Sequence, residues 1–209
     1  VSIWNFGRAK RTAQEEFWRW FIDHEEELFN FEIDRERTFD KLSRQLTRID
    51  ANLCFEFGPK QPRREIVLSA GGIKSAFPAV VALASAAPEL RKFRVTAFRP
   101  RRGTLNVIEF REKSVDPKDV QFSLLDNGKI AGICLFVPGF RNDDLDLKQV
   151  GYLMLDEALG EYDVECKLGL IEMLPPEAKT NTERHPLADL PALFDQLVSQ
   201  LERRTRKPS

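Results

Sequence analysis

The segment Asp126-Asn127-Gly128-Lys129 and the run that follows it, Ile130 to Val137, constrain this chain more than any other stretch. Asn-Gly readily supplies the positive φ angles of a tight hairpin turn, so the strand read over 121–126 should fold back onto the run behind it. That run is apolar on both faces, with Ile130, Cys134 and Phe136 on one side and Ala131, Ile133, Leu135 and Val137 on the other. A strand with no polar side has to be covered on both, which places it at the centre of a layered sheet.

The rest of the sheet is read from period-two alternation. Leu53, Phe55 and Phe57 alternate with Asn52, Cys54 and Glu56, and Ile66 and Leu68 mark a second strand over 64–69, the two forming a hairpin. Further strands are expected over 93–98 and 105–110, and a last one in which Tyr162, Val164, Cys166, Leu168 and Leu170 alternate with polar residues. Helical spacing appears in five places. Thr12-Ala13-Gln14-Glu15 reads as a capping box that opens a helix running to Phe29, with Phe17, Trp20, Phe21, His24 and Leu28 on one stripe. Asp34 caps a second helix with Phe39, Leu42, Leu46 and Ile49 inward. A third runs from about Lys74 to Ala86, with Pro78 tolerable only in its first turn. A fourth starts at an Asn142 cap and ends at Gly160 as a C′ glycine. The C-terminal helix begins near Asp189, and the basic tail 203–207 is expected to fray.

Strand runs broken by helices favour an α+β fold over a doubly wound parallel sheet. The expectation is a single domain over 1–209 with a mainly antiparallel sheet, helices on one face and a ferredoxin-like (split βαβ) core. An N-terminal helical pair takes 10–50, the sheet core 51–172, an exposed loop 173–188 and the last helix 189–203. The formal net charge of the 209 residues is −1, which gives no global bias toward nucleic acid or acidic lipid. No apolar run approaches the roughly 18 residues of a membrane span and the start has no signal-peptide pattern, so a cytoplasmic setting is expected. Three cysteines, Cys54, Cys134 and Cys166, lack metal-ligand spacing and read as free thiols.

Phe17-Trp18-x-Trp20-Phe21, Leu68-Ser69-Ala70-x-Gly72-Ile73, Ala97-Phe98-Arg99-Pro100 and Leu155-Asp156-x-x-Leu159-Gly160-Glu161 together resemble a family of uncharacterised bacterial proteins of the cytoplasm. The resemblance spans about 17–195. It implies an α+β domain and carries no activity, cofactor or catalytic residue with it.

Few residues could carry chemistry. His24 beside Glu25 could form a general acid–base pair, with Glu56 and Glu161 as further carboxylates. With only two histidines, His24 and His185, a histidine-rich metal site is excluded; a carboxylate site through Glu56, Asp163 or Glu161 is the remaining option, and no metal or cofactor is assigned. Ser69-Ala70-Gly71-Gly72-Ile73-Lys74 lacks the Gly-Lys adjacency of a phosphate loop and reads as a tight strand-to-helix turn. The aromatic surplus of the first helix points to a protein or peptide partner, with Trp18, Trp20, Arg99 and Arg101 as contact candidates. Two alternatives stay open. One is an enzyme acting on a small charged substrate between the first helix and the sheet. The other is weak nucleic-acid binding through Arg91–Arg102, against which stand the balanced charge and the lack of a nucleic-acid motif. A homodimer is compatible with this reading. The acids around the end of the helix that closes at Gly160 lie where the dipole disfavours them, so they are expected to find partners among those arginines.

Overall fold

The computed structural model describes residues 11–142 and 144–206, and these form an α+β fold with mixed antiparallel and parallel sheets. The chain divides into two compact units, 1–97 and 98–209.

In the first unit, α1 (Ala13–Asp23) opens with the expected capping box: the Thr12 hydroxyl accepts from Glu15 N, and the Glu15 carboxylate accepts from Thr12 N. The helix does not continue to Phe29. It stops at His24, whose amide donates to the carbonyls of Trp20 and Phe21, and α2 (Glu25–Phe29) follows. The break puts Glu25, Glu26 and Glu27 in the first turn of a new helix, where the dipole favours them. Helix α3 (Arg35–Thr47) starts at the Asp34 cap and buries Thr38, Leu42 and Leu46. Strands β1 (Cys54–Phe57) and β2 (Arg64–Ser69) pair antiparallel, and α4 (Phe77–Ser85) carries the chain to β3 (Phe93–Ala97), which pairs with β2 in parallel. Pro78 lies in the first turn of α4, as its missing amide requires.

One face of this sheet is aromatic. Phe57 stacks on Phe31 at 5.2 Å, Phe55 meets Phe39 edge-on at 5.0 Å, and Phe93 meets Phe21 at 5.1 Å. Pairs of this geometry add about 0.5–1.5 kcal/mol to the area they bury. The opposite face carries Glu65, which accepts from the Thr96 hydroxyl at 2.5 Å and pairs with Arg94 at 3.4 Å.

Arg64 begins β2 on the aromatic side and is 1% exposed. Its guanidinium sits 4.4 Å from the Phe31 ring centre, donates to the Phe29 carbonyl at 2.9 Å and pairs with Glu32. Its Nε has no partner among the described residues.

In the second unit, β4 (Ile108–Phe110) and β5 (Lys113–Val115) form a small antiparallel pair, the latter unread in the sequence. Strands β6 (Gln121–Asp126) and β7 (Ala131–Phe136) flank the Asn-Gly turn in the expected hairpin, and every β7 residue is buried. The crossover consists of α5 (Leu145–Leu159) and α6 (Glu161–Lys167), and it returns as β8 (Leu168–Leu174), parallel to β7. A two-residue β9 (His185–Pro186) adds to the free side of β6, and α7 (Leu190–Arg206) closes the chain.

Four expectations need correction. The strands of 51–172 lie in three sheets rather than one, so the helices near Lys74 and Leu145 belong to different units. A split βαβ core is absent from the described residues, because β2/β3 and β7/β8 are each directly paired with no strand inserted between them. The 161–167 stretch is helical. Its alternation is superficial, since the buried positions Glu161, Val164 and Leu168 are spaced by three and four. The α5 cap is Asp144, which accepts from Leu147 N at 2.9 Å, rather than Asn142.

The expected exposed loop 173–188 is also tied down. Arg184 lies 3.6 Å over the ring of Phe136, the last residue of β7, and donates to the carbonyls of Pro176 and Ala178. Of the expected frayed tail, 203–206 is the last turn of α7, and Lys207 lies outside the described residues.

Replacing Arg64 by Ala removes a buried cation that satisfies the Phe29 carbonyl and fills the space under two rings. Denaturant unfolding should show a loss of about 3 kcal/mol, whereas Arg64→Met, which keeps the volume without the charge, should lose clearly less.

Candidate functional site

Helix α1 presents Ala13, Glu16, Phe17 and Trp20 at positions i, i+3, i+4 and i+7, a single stripe. The end of α3 answers with Gln45, Arg48 and Ile49. Between the two stripes lies a cleft of ≈ 370 Å³, with Arg19 on its rim. Phe17 is buried at its floor and Trp20 is half-buried in its wall. The Trp20 indole is held by the His24 ring, stacked at 4.6 Å with an angle of 25°. His24 is in turn fixed by its Nδ1, 2.8 Å from the Trp20 carbonyl.

The Trp20 indole N–H has no hydrogen-bond partner among the described residues. Arg19 and Arg48 are both exposed and neither forms an ion pair there, Arg48 bonding only Gln45 at 3.0 Å. Two guanidiniums against the single Glu16 carboxylate leave the mouth of the cleft cationic.

The other residues singled out by sequence are placed differently. Trp18, expected at a partner surface, is 2% exposed, and its indole donates to the Leu83 carbonyl of α4 at 2.8 Å. Its position next to Phe17 on the helix turns it toward α4, so it is core. Glu25 is 4% exposed and accepts from Lys92 N at 2.9 Å, with Arg91 Nε at 3.5 Å. It therefore pins the turn before β3, which accounts for a glutamate on an apolar stripe. Glu56 is half-buried on β1 opposite Val67.

Glu161, Arg99 and Arg101 do come together, in the second unit. Arg99 N donates to the Glu161 carboxylate at 3.2 Å and Glu161 N donates to the Arg99 carbonyl at 3.0 Å. Arg99 pairs with Asp156 at 3.4 Å, and Arg101 with Asp163 at 2.6 Å and Asp195 at 2.8 Å. Arg102 pairs with Glu157 at 3.3 Å, and Arg101 Nε donates to the Leu159 carbonyl at 2.7 Å, satisfying the end of α5. The acids that oppose the α5 dipole are thus matched by the arginines expected for them.

Two backbone features lock this corner. Phe98 has φ 63, unusual for a bulky residue, and packs on Tyr162 at 5.3 Å. Gly160 has φ 82 and ψ 144, with its N–H ending α5 and its carbonyl opening α6. A Cβ there would stand 3.3 Å from both Arg101 N and the Arg99 carbonyl.

Burial pushes the Asp156 carboxyl up to about 6; Arg99 draws it down, and Glu161 and Glu165 push it further up. Burial also pushes the Cys134 thiol up to about 11, aided by Glu172, which leaves it protonated and a poor nucleophile. Among the described residues, no group of three or more His, Cys, Asp or Glu is arranged to hold a metal ion. No described helix is long and apolar enough to cross a membrane.

The basic segment 91–102 is engaged throughout by its own chain. Besides the pairs above, Arg94 meets Glu65 and Lys92 meets Glu26. The residues that sequence reasoning missed are Arg19, Gln45 and Arg48. Their signal was helical spacing alongside Trp20 and Ile49, which shows a shared face but not that the faces part.

Compared with family models, curated proteins and solved structures, the chain gives no match.

Two measurements probe the Gly160 corner. Gly160→Ala combines a backbone conformation reserved for glycine with a close approach to the 99–101 backbone, and should cost about 2–3 kcal/mol in thermal or denaturant unfolding. Because folding raises the Asp156 pKa above its ordinary value of 3.8, protonation favours the folded state: the stabilisation is complete below about pH 4 and is lost as pH rises through about 6. Between pH 7.5 and 4.5 the parent should therefore gain about 2 kcal/mol in stability relative to Asp156→Asn. Parallel pH profiles of the two proteins would contradict this.

Proposed function

We propose that this protein binds a protein or peptide partner through the α1–α3 cleft, and that it does so without catalysing a reaction. The observation that carries the reading is the half-buried Trp20. Its indole is stacked on the His24 ring, its N–H is unpartnered among the described residues, and it shares the cleft with Arg19 and Arg48, which outnumber the one carboxylate there, Glu16, and form no ion pair. Trp and Arg are the residues most enriched among those that dominate binding energy. Arg19 and Arg48 form no ion pair among the described residues, which leaves both guanidiniums available to a partner at this cleft.

The occupant this suits is a short amphipathic segment, with an apolar side chain entering over Phe17 and Ile49 and carboxylates flanking it. A helix laid into a groove offers that arrangement through side chains three or four residues apart. The engagement of Arg91, Arg94, Arg99, Arg101 and Arg102 by acids supports this reading over a phosphate backbone.

The test is fluorescence anisotropy with a labelled helical peptide bearing leucine anchors flanked by glutamates, and with its lysine counterpart. The glutamate peptide should bind and the lysine peptide should not. Reversing both rim charges (Arg19→Glu with Arg48→Glu), a change confined to exposed positions, should weaken binding by about tenfold or more, as should Trp20→Ala. Equal binding of the two peptides, or an unchanged affinity in the charge-reversed protein, would overturn the proposal.

A further inference from the structure

Between the paired residues Asp126 and Ala131, the β6–β7 hairpin turns through Asn127-Gly128-Lys129-Ile130, and Asn127 is the one asparagine of the sequence that glycine follows. The tip is exposed, Gly128 has φ 85, and a Cβ there would meet nothing within 4 Å. Asn127 Oδ1 accepts from Lys129 N at 3.0 Å and from Ile130 N at 2.8 Å, while its Nδ2 has no hydrogen-bond partner among the described residues. Gly128 N donates to Oδ1 of the Asp126 carboxylate at 2.8 Å, and Arg204 pairs with Oδ2 at 2.7 Å. These two contacts hold the Asp126 carboxyl below the ordinary range, so it is ionised at neutral pH.

The carboxamide carbon of an asparagine is one ring closure away from the next residue's nitrogen, and glycine brings no side chain to obstruct that approach. The turn adds the other parts of an acyl-transfer site. Two amides on Asn127 Oδ1 steady the negative charge that develops there when its carbon is attacked. A carboxylate on the Gly128 N–H is placed to take the proton. Because the peptide unit is planar, that N–H points at the carboxylate within the plane while the nitrogen attacks across it, so base and electrophile do not compete for one side.

We infer that the Asn127–Gly128 link is a self-modification site of the folded protein. Gly128 N attacks Asn127 Cγ as its proton passes to the Asp126 carboxylate. The tetrahedral carbon then expels Nδ2, which takes that proton and leaves as ammonia. Water opens the resulting succinimide at either carbonyl and gives aspartate or isoaspartate. Either product sets a new carboxylate beside Asp126, and isoaspartate also inserts a methylene into the backbone between the paired Asp126 and Ala131. The site lies in the second unit and does not depend on the reading of the α1–α3 cleft.

The experiment incubates the full chain near neutral pH, native in one arm and unfolded in urea in the other. Peptide maps that separate the asparagine, aspartate and isoaspartate forms give the rate at each asparagine. Conversion at Asn127 should run at least as fast in the native arm as in the unfolded one. Asp126→Asn, at an exposed position, keeps an acceptor for the Gly128 amide but cannot take its proton. It should lower the native rate, relative to the unfolded rate of the same variant, by about threefold or more. Native conversion slower than unfolded overturns the inference, because the fold then withholds the bond. An Asp126→Asn chain whose native-to-unfolded ratio matches the parent's overturns it as well, since the turn then supplies no base.

Discussion

A guanidinium buried among phenylalanine rings organises the first unit. Isolated, a charge in that position would cost many kcal/mol. Arg64 is retained because each of its surroundings answers a different part of the group. The Phe31 face meets the cation, the Phe29 carbonyl accepts from Nη1 and Glu32 neutralises the charge. Lysine could not do the same, since a compact ammonium cannot lie flat on a ring while donating sideways in two directions. The link joins the first residue of β2 to the turn between α2 and α3, so it sets where that turn meets the sheet. Phe29 and Phe31 then carry the constraint outward to Phe93, Phe39 and Phe57.

The second unit meets a similar requirement with ion pairs. In both units a hairpin is followed by a helical crossover to a parallel strand directly beside the hairpin's second strand. In the first, rings cover the sheet. In the second, the critical joint is the α5–α6 corner, where the helix end exposes carbonyls and acids sit against the dipole. The 99–102 segment supplies amide and guanidinium donors at that spot, and the left-handed Phe98 and Gly160 conformations let the two backbones approach. Backbone strain of about 1–3 kcal/mol at such residues persists only where contacts outweigh it. Here they do, through a reciprocal backbone and carboxylate exchange between Arg99 and Glu161.

Much of this was legible residue by residue. The strands 64–69 and 121–126 and the Thr12 capping box follow from local rules that act on neighbouring residues, and they were read at their true positions. The 161–167 helix was not, because Tyr162, Val164 and Cys166 satisfy a strand pattern as well as Glu161, Val164 and Leu168 satisfy a helical one. What decides between them is Arg99, sixty-two residues from Glu161, which binds its carboxylate and amide. Sheet membership was hidden for a related reason. Alternation shows that a strand has two faces but does not name its neighbour.

The candidate site shows the same boundary between local and non-local information. The stripe containing Phe17 and Trp20 and the stripe containing Ile49 both follow from helical spacing. Whether two such stripes close on each other or leave a cleft depends on side-chain size where they meet, which spacing along one helix does not give. The same distinction separates Trp18 from Trp20: two positions along the helix turn one indole toward the α4 carbonyl and the other toward water. For the arginines, identity carries even less, because a guanidinium is equally able to brace a helix end or to meet a partner. Arg99, Arg101 and Arg102 are committed by acids that the fold brings to them. Arg19 and Arg48 share the cleft of Trp20 without forming an ion pair, and the functional reading joins that pair to the half-buried indole.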